Sequence, residues 1–160
     1  MNKAIYPGSF DPITNGHIDI LKRSLNVFDE VVILIADNPN KSSKFTVEER
    51  VLMAKEAIKE LGLKNVSVDT TRGLVVEYAK SHDAKCMIRG LRAVSDFEYE
   101  FQLTAANYYI DNSIDIVFFM SHSETNFISS SAIHELYLSK VDISKLVPNS
   151  VLKVYQKKYR

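Results

Sequence analysis

Cysteine is nearly absent. Cys86 stands alone among 160 residues, so no disulfide can form within the chain. Set in the apolar run Cys86-Met87-Ile88, it reads as a packed, unreactive thiol. Net charge is absent too, with 20 Lys and Arg against 20 Asp and Glu. The balance also holds locally: 11 of each sign in residues 1–80 and 9 of each in residues 81–160. Nucleic-acid binders usually carry a basic excess, so no nucleic-acid partner is expected. An anionic ligand would need positive charge gathered at one place, with the balancing acids elsewhere. No apolar run approaches the roughly 20 residues that span a bilayer, so no membrane role is expected. Pro7 and Gly8 interrupt the N-terminus too early for a secretory signal, and the expectation is a reduced, cytoplasmic setting. Repeats, linkers and low-complexity segments are missing. So are metal-ligand spacings among His82, His122 and His134, and any Ser-His-Asp or paired-carboxylate pattern. These three histidines read as surface or capping residues.

What is present is a core. Hydrophobic residues make up 46% of the chain, ample for one globular domain spanning residues 1–160. Short β-branched runs alternate with helical patterns. Strands are predicted at residues 3–6, 31–36, 66–70, 85–88 and 115–120. Ile18, Leu21, Leu25 and Phe28 share a helical stripe. Thr46 and Glu49 form a capping box ahead of Val47, Val51, Ala54, Ile58 and Leu61, and Gly62 stops that helix. A short helix is predicted at 74–82. Ser95 and Glu98 suggest a second capping box for a helix to about Tyr109. Further helices are expected at 129–138 and 149–159. The aromatics Phe97, Tyr99, Phe101, Tyr108 and Tyr109 read as core or subunit contacts. Lys153, Lys157, Lys158 and Arg160 read as a solvated helix end.

Alternating strands and helices predict a Rossmann-like α/β domain: a five-stranded parallel sheet with helices on both faces. Ligands in such sheets bind beyond the carboxyl ends of the strands. The polar and glycine-containing clusters all follow strands: Gly8-Ser9, residues 37–41, Thr71-Arg72-Gly73, Arg89-Gly90-Leu91-Arg92 and residues 121–131. His17 falls near a helix start, where backbone donors favour phosphate. Ser129, Ser130 and Ser131 open another helix, and hydroxyls there make a second anion site.

Thr14-Asn15-Gly16-His17 resembles the (H/T)xGH signature of the nucleotidyltransferase superfamily. Ile128-Ser129-Ser130-Ser131 resembles its ISSS/ISST element. Four segments are similar to the phosphopantetheine adenylyltransferase family: Tyr6 through His17, Phe45-Thr46-Val47-Glu48-Glu49-Arg50, Ile88 through Glu100, and Phe127 through Ser131. The resemblance implies transfer of an adenylyl group from ATP to 4′-phosphopantetheine, with release of pyrophosphate. It implies that Ser9 touches both substrates and Phe10 lies on the ATP side. His17 would stabilise charge at the α-phosphate, and Lys41 and Arg89 would meet the acceptor and reacting phosphates. Gly90, Leu91, Arg92 and Glu100 would bind ATP, as would Thr125, Asn126, Phe127, Ile128, Ser129, Ser130 and Ser131. Leu74 and Val75 would line the pantetheine arm. The family often carries an aromatic residue where this chain has Thr125-Asn126, and Ser9 replaces the threonine of some members. Also implied are Mg²⁺ on the triphosphate with no metal-ligating residue, a homohexamer, and feedback binding of coenzyme A.

The chemistry is consistent from below. A phosphate monoester is mostly ionised near neutrality, since its second pKa is about 6, so no general base is required. Alignment and charge stabilisation remain, with Lys41, Arg89, Arg92 and His17 as the expected cations. Two other readings stay open. One is a different nucleotidyltransferase, acting on nicotinamide mononucleotide or using a cytidylyl donor. The other is a nucleotide-binding regulatory module without catalysis.

Overall fold

The computed structural model describes residues 1–121 and 128–159, the side chain of Val94 excepted. In chain order the elements are β1 (Lys3–Gly8), α1 (Asn15–Ser24), β2 (Glu30–Ala36), α2 (Val47–Glu60), β3 (Val66–Thr71), α3 (Val75–Ser81), β4 (Cys86–Leu91), α4 (Val94–Ile110), β5 (Asp115–Met120), α5 (Ser130–Leu138) and α6 (Asn149–Lys158). The five strands form one sheet in the order β3-β2-β1-β4-β5, and every pairing is parallel.

Strand alternation builds a core on each face. Ala4, Tyr6, Val31, Ile33 and Ile35 point into the larger core, with Leu21, Met53, Ala57 and Val151 from the helices. Ile5, Val32, Leu34 and Met87 point the other way, against Val76 and Ala79 of α3. Both faces of the central strands are therefore buried, which is why they read as continuous apolar runs.

The sheet opens where the site lies. β1 and β4 are in register only at Ala4 with Cys86 and Ile5 with Met87. Beyond that point β4 stays with β5 through Leu91 opposite Met120, while β1 stays with β2 through Gly8 opposite Ile35. The two halves diverge at the strand-order reversal, the place where such sheets bind ligands.

Three sequence expectations need correction. β4 runs past Ile88, because Arg89, Gly90 and Leu91 are still paired with β5. These three residues thus lie on the strand, and only Arg92 follows it. The start of α4 is not a Ser95–Glu98 box. Asp96 reaches back to the backbone N–H groups of Arg92 (3.0 Å) and Ala93 (3.2 Å), so the N-cap is Ala93 and the helix begins two residues earlier. Lys158 is not simply solvated. Its Nζ meets Glu49 Oε2 at 2.8 Å and sits 5.1 Å from the centre of the Phe45 ring.

The Thr46–Glu49 capping box is present, with Glu49 N–H donating to Thr46 Oγ1 at 3.1 Å and Thr46 N–H to Glu49 Oε2 at 2.8 Å. Gly62 follows the end of α2 at φ 63°, a conformation suited to glycine. Phe97, Tyr99, Phe101, Tyr108 and Tyr109 are all exposed and so do not belong to the core.

Candidate active site

A cleft of about 540 Å³ lies at the opening between β1 and β4, within the range of small-molecule sites. Its walls include Ser9, Phe10, His17, Lys41, Arg89, Gly90, Arg92, Glu100, Ile128, Ser129, Ser130 and Ser131. Residues far apart in sequence, and predicted separately, thus meet at one place.

The first wall is the turn from β1 into α1. Phe10 adopts φ 46°, unusual for a side chain of its size. That turn folds its ring back over Gly8, where a Cβ would lie 3.1 Å from Phe10 Cε2. The ring is buried and packs 4.8 Å from the His17 imidazole, centre to centre. Tyr6 closes the other side of Phe10 at 5.2 Å, edge to face.

His17 is the third residue of α1, and Thr14 is its N-cap. Thr14 N–H donates to His17 Nδ1 at 2.9 Å, while His17 N–H donates to Thr14 Oγ1 at 3.3 Å. The T-x-G-H tetrapeptide is therefore a capping box in which histidine takes the role usually played by glutamate or glutamine. Nδ1 accepts a hydrogen bond, so the neutral ring carries its proton on Nε2. Loss of hydration, followed by the charges of Arg92 and Arg89, lowers the His17 pKa to about 4. The sequence reading took His17 as a cation; in the folded protein it is a neutral donor at pH 7.

The second wall is β4 with α4. Arg89 makes a two-pronged pair with Glu100, Nε to Oε2 at 2.9 Å and Nη2 to Oε1 at 2.6 Å. Its Nη1 donates to Pro7 O at 3.2 Å across the opening between β1 and β4. Arg92 faces Asp96 at 3.6 Å. The balancing acids are thus not elsewhere, as charge counting suggested; they stand against the cleft's own arginines. Glu100, expected on ATP, is buried with both oxygens on Arg89.

The third wall joins the β2–α2 loop to α5. Asp11 Oδ2 and Oδ1 accept the backbone N–H groups of Lys44 (2.8 Å) and Phe45 (2.9 Å), which ties the loop carrying Lys41 to the first wall. Ser129 caps α5 by accepting from Ala132 N–H at 3.1 Å. Ser130 Oγ donates to Pro12 O at 2.9 Å. Beneath these loops, Arg50 is 2% exposed. Its Nη1 donates to Ser9 O at 2.9 Å and to Ala36 O at 3.1 Å, so it holds the ends of β1 and β2 together.

Some expected residues lie apart. Leu91 is half-buried on β4 and Leu74 is an exposed N-cap of α3. Val75 packs against the smaller core. None of the three lines the cleft. Thr125, Asn126 and Phe127, with His122, fall outside the described residues. Three residues were missed by sequence reasoning: Asp11, Lys44 and Arg50. Arg50 did leave a signal, being charged on the apolar stripe formed by Val47, Val51 and Ala54.

The T-x-G-H imidazole and the serine-rich helix start meet at one strand-end cleft of the sheet, the arrangement that the resemblance to nucleotidyltransferases leads one to expect. The cytidylyltransferase-like family model matches residues 5–136. The fold is shared with a Vibrio parahaemolyticus structure assigned as a nicotinate-nucleotide adenylyltransferase. That likeness has a TM-score of 0.72 at 21% identity, over 98% of this chain and 93% of the other. At the sequence level, the phosphopantetheine adenylyltransferase of Nautilia profundicola is 44% identical over 94% of this chain and 97% of its own. The Alkaliphilus metalliredigens phosphopantetheine adenylyltransferase is 45% identical over 99% of both chains. The chain belongs to the phosphopantetheine adenylyltransferase family.

Proposed function

We propose that the protein transfers the adenylyl group of ATP to 4′-phosphopantetheine, giving dephospho-coenzyme A and pyrophosphate. One observation carries this reading beside the family membership: His17, Lys41, Arg89 and the three α5 serines border a single cleft. An oxygen of the acceptor's phosphate bonds to the α-phosphorus of ATP. The bond from that phosphorus to the oxygen bridging the β-phosphorus breaks, and its electron pair leaves with pyrophosphate. No proton need be removed from the nucleophile.

The residues then divide the work. His17 donates from Nε2 to an α-phosphate oxygen as charge builds there. Arg89 and Lys41 hold the acceptor phosphate, and Ser9 stands between the substrates. Gly90, Arg92 and Ile128 form the adenosine side, and Ser129, Ser130 and Ser131 the triphosphate side. Glu100 acts through Arg89, fixing its guanidinium plane. Mg²⁺ enters with the triphosphate as part of the substrate. The carboxylates of the cleft are engaged, Asp11 and Asp96 on backbone N–H groups and Glu100 on Arg89, so they do not suit a resident metal.

Subunit assembly and feedback extend the reading. The exposed aromatics of α4, with Met120 at 71% exposure on β5, support packing between subunits, and family resemblance implies six of them. Coenzyme A combines the pantetheine arm with 3′-phosphoadenosine 5′-diphosphate, so a cleft that takes both substrates can take it as an inhibitor. A cytoplasmic setting agrees with the lone cysteine. No helix among the described residues is long and apolar enough to cross a membrane.

Pyrophosphate release across acceptors tests the proposal. Phosphopantetheine with ATP should turn over, while nicotinamide mononucleotide with ATP and phosphopantetheine with CTP should not. Turnover only with the latter pairs would transfer the chain to another activity in its superfamily. ATP binding without any product would favour a regulatory module.

A further inference from the structure

Lys44 is fixed more tightly than a loop lysine needs to be. Its backbone N–H donates to Asp11 Oδ2 at 2.8 Å. Its carbonyl accepts from Lys158 Nζ at 3.2 Å and from Tyr159 Oη at 3.3 Å. Side chains from the first loop and the chain end thus hold both of its main-chain polar groups. The side chain is half-buried on the cleft wall, and Nζ lies 3.4 Å from Ser131 Oγ at the start of α5.

Its charge is also left over. Arg89 and Arg92 face Glu100 and Asp96. Among the described residues no carboxylate pairs with Lys44 Nζ. Ser129 and Ser130 are occupied with Ala132 N–H and Pro12 O, whereas the Ser131 hydroxyl is on Lys44. A held ammonium, a hydroxyl and a helix start converge on one spot, each of them suited to phosphate oxygens.

We propose that Lys44 contacts the distal phosphates of the nucleotide donor, and so the departing pyrophosphate, together with Ser131. This rests on the functional reading above and adds a cation that reading did not include. Lys41 remains on the acceptor side of the same loop, so the two lysines serve different phosphates.

The test measures pyrophosphate binding to the full chain by calorimetry, together with KM for each substrate, in wild type, Lys44→Met, Lys44→Gln and Lys44→Arg. Removing a charge-assisted contact should weaken pyrophosphate binding and raise KM for ATP by about 10-fold or more. KM for phosphopantetheine should stay the same, and Lys44→Arg should recover most of the loss. A purely structural role would lower the Tm and affect both substrates alike. Unchanged pyrophosphate affinity in folded Lys44→Met and Lys44→Gln overturns the proposal, as does a rise in the acceptor KM alone. Pyrophosphate binding that depends on Lys44 upholds it even where no dephospho-coenzyme A forms, and in that case only the reading of the activity fails.

Discussion

Thr14 N–H donates to His17 Nδ1 at 2.9 Å, and this bond decides which end of the imidazole faces the cleft. The helix cap and the proposed catalytic donor are one device. The backbone group that starts α1 also leaves the proton on Nε2, where an α-phosphate could take it up in a hydrogen bond.

Replacement by glutamine separates the two roles. Glutamine at this position can complete an ordinary capping box, so His17→Gln should keep its Tm within about 2 °C, a change of under about 1 kcal/mol for a chain of this size. Turnover should fall on the order of 10²-fold or more, with little change in KM for ATP. Thermal melts and steady-state kinetics on the same preparation check both. An equal loss of rate and ATP affinity would remove the transition-state role.

The same residue sets a pH dependence of stability. In the unfolded chain histidine titrates near pH 6.5, whereas His17 in the fold stays neutral to about pH 4. Between these values the unfolded state holds the extra proton, so stability falls as the pH drops from about 6.5 to 4. Urea midpoints across this range should fall more steeply in wild type than in His17→Gln. Parallel curves would contradict the assignment.

The Arg89–Glu100 pair predicts a specific failure. Glu100→Gln keeps the shape and removes the charge that orients the guanidinium. KM for phosphopantetheine should rise about 10-fold, the loss expected for a displaced charge-assisted contact, and KM for ATP should change less. A rise confined to ATP would place Glu100 on the nucleotide instead.

Arg50 is a structural clamp by the same reasoning. Arg50→Met would leave Ser9 O and Ala36 O without their donor. The expected cost is about 2–4 kcal/mol, since two carbonyls at the strand ends lose a charged partner. Chemical denaturation measures it, and a loss below about 1 kcal/mol would mean that water replaces the guanidinium without difficulty.

Much of this fold was legible because its signals are local. Continuous runs such as Val31 through Ala36 marked buried strands, and Thr46 with Glu49 marked a helix start. The clusters around Ser9, Lys41, Arg89 and Ser129 could be assigned to one edge because parallel topology leaves no other arrangement. What was illegible depends on contacts across the chain. Ser95 and Glu98 match the capping pattern, yet Asp96 lies closer to the free N–H groups and wins. Whether Glu100 meets ATP or Arg89 depends on how α4 lies against β4, which no spacing reveals. Lys44 looks like any loop lysine until Asp11, Lys158 and Tyr159 are seen to hold it.

The central claim is direct in-line transfer, driven by alignment and charge stabilisation in this cleft. It is tested most directly by the stereochemistry at the α-phosphorus. With one diastereomer of adenosine 5′-(1-thiotriphosphate) and phosphopantetheine, the product should be the thio analogue of dephospho-coenzyme A with inverted configuration. Retention would require two displacements through an adenylated enzyme, and would contradict the account.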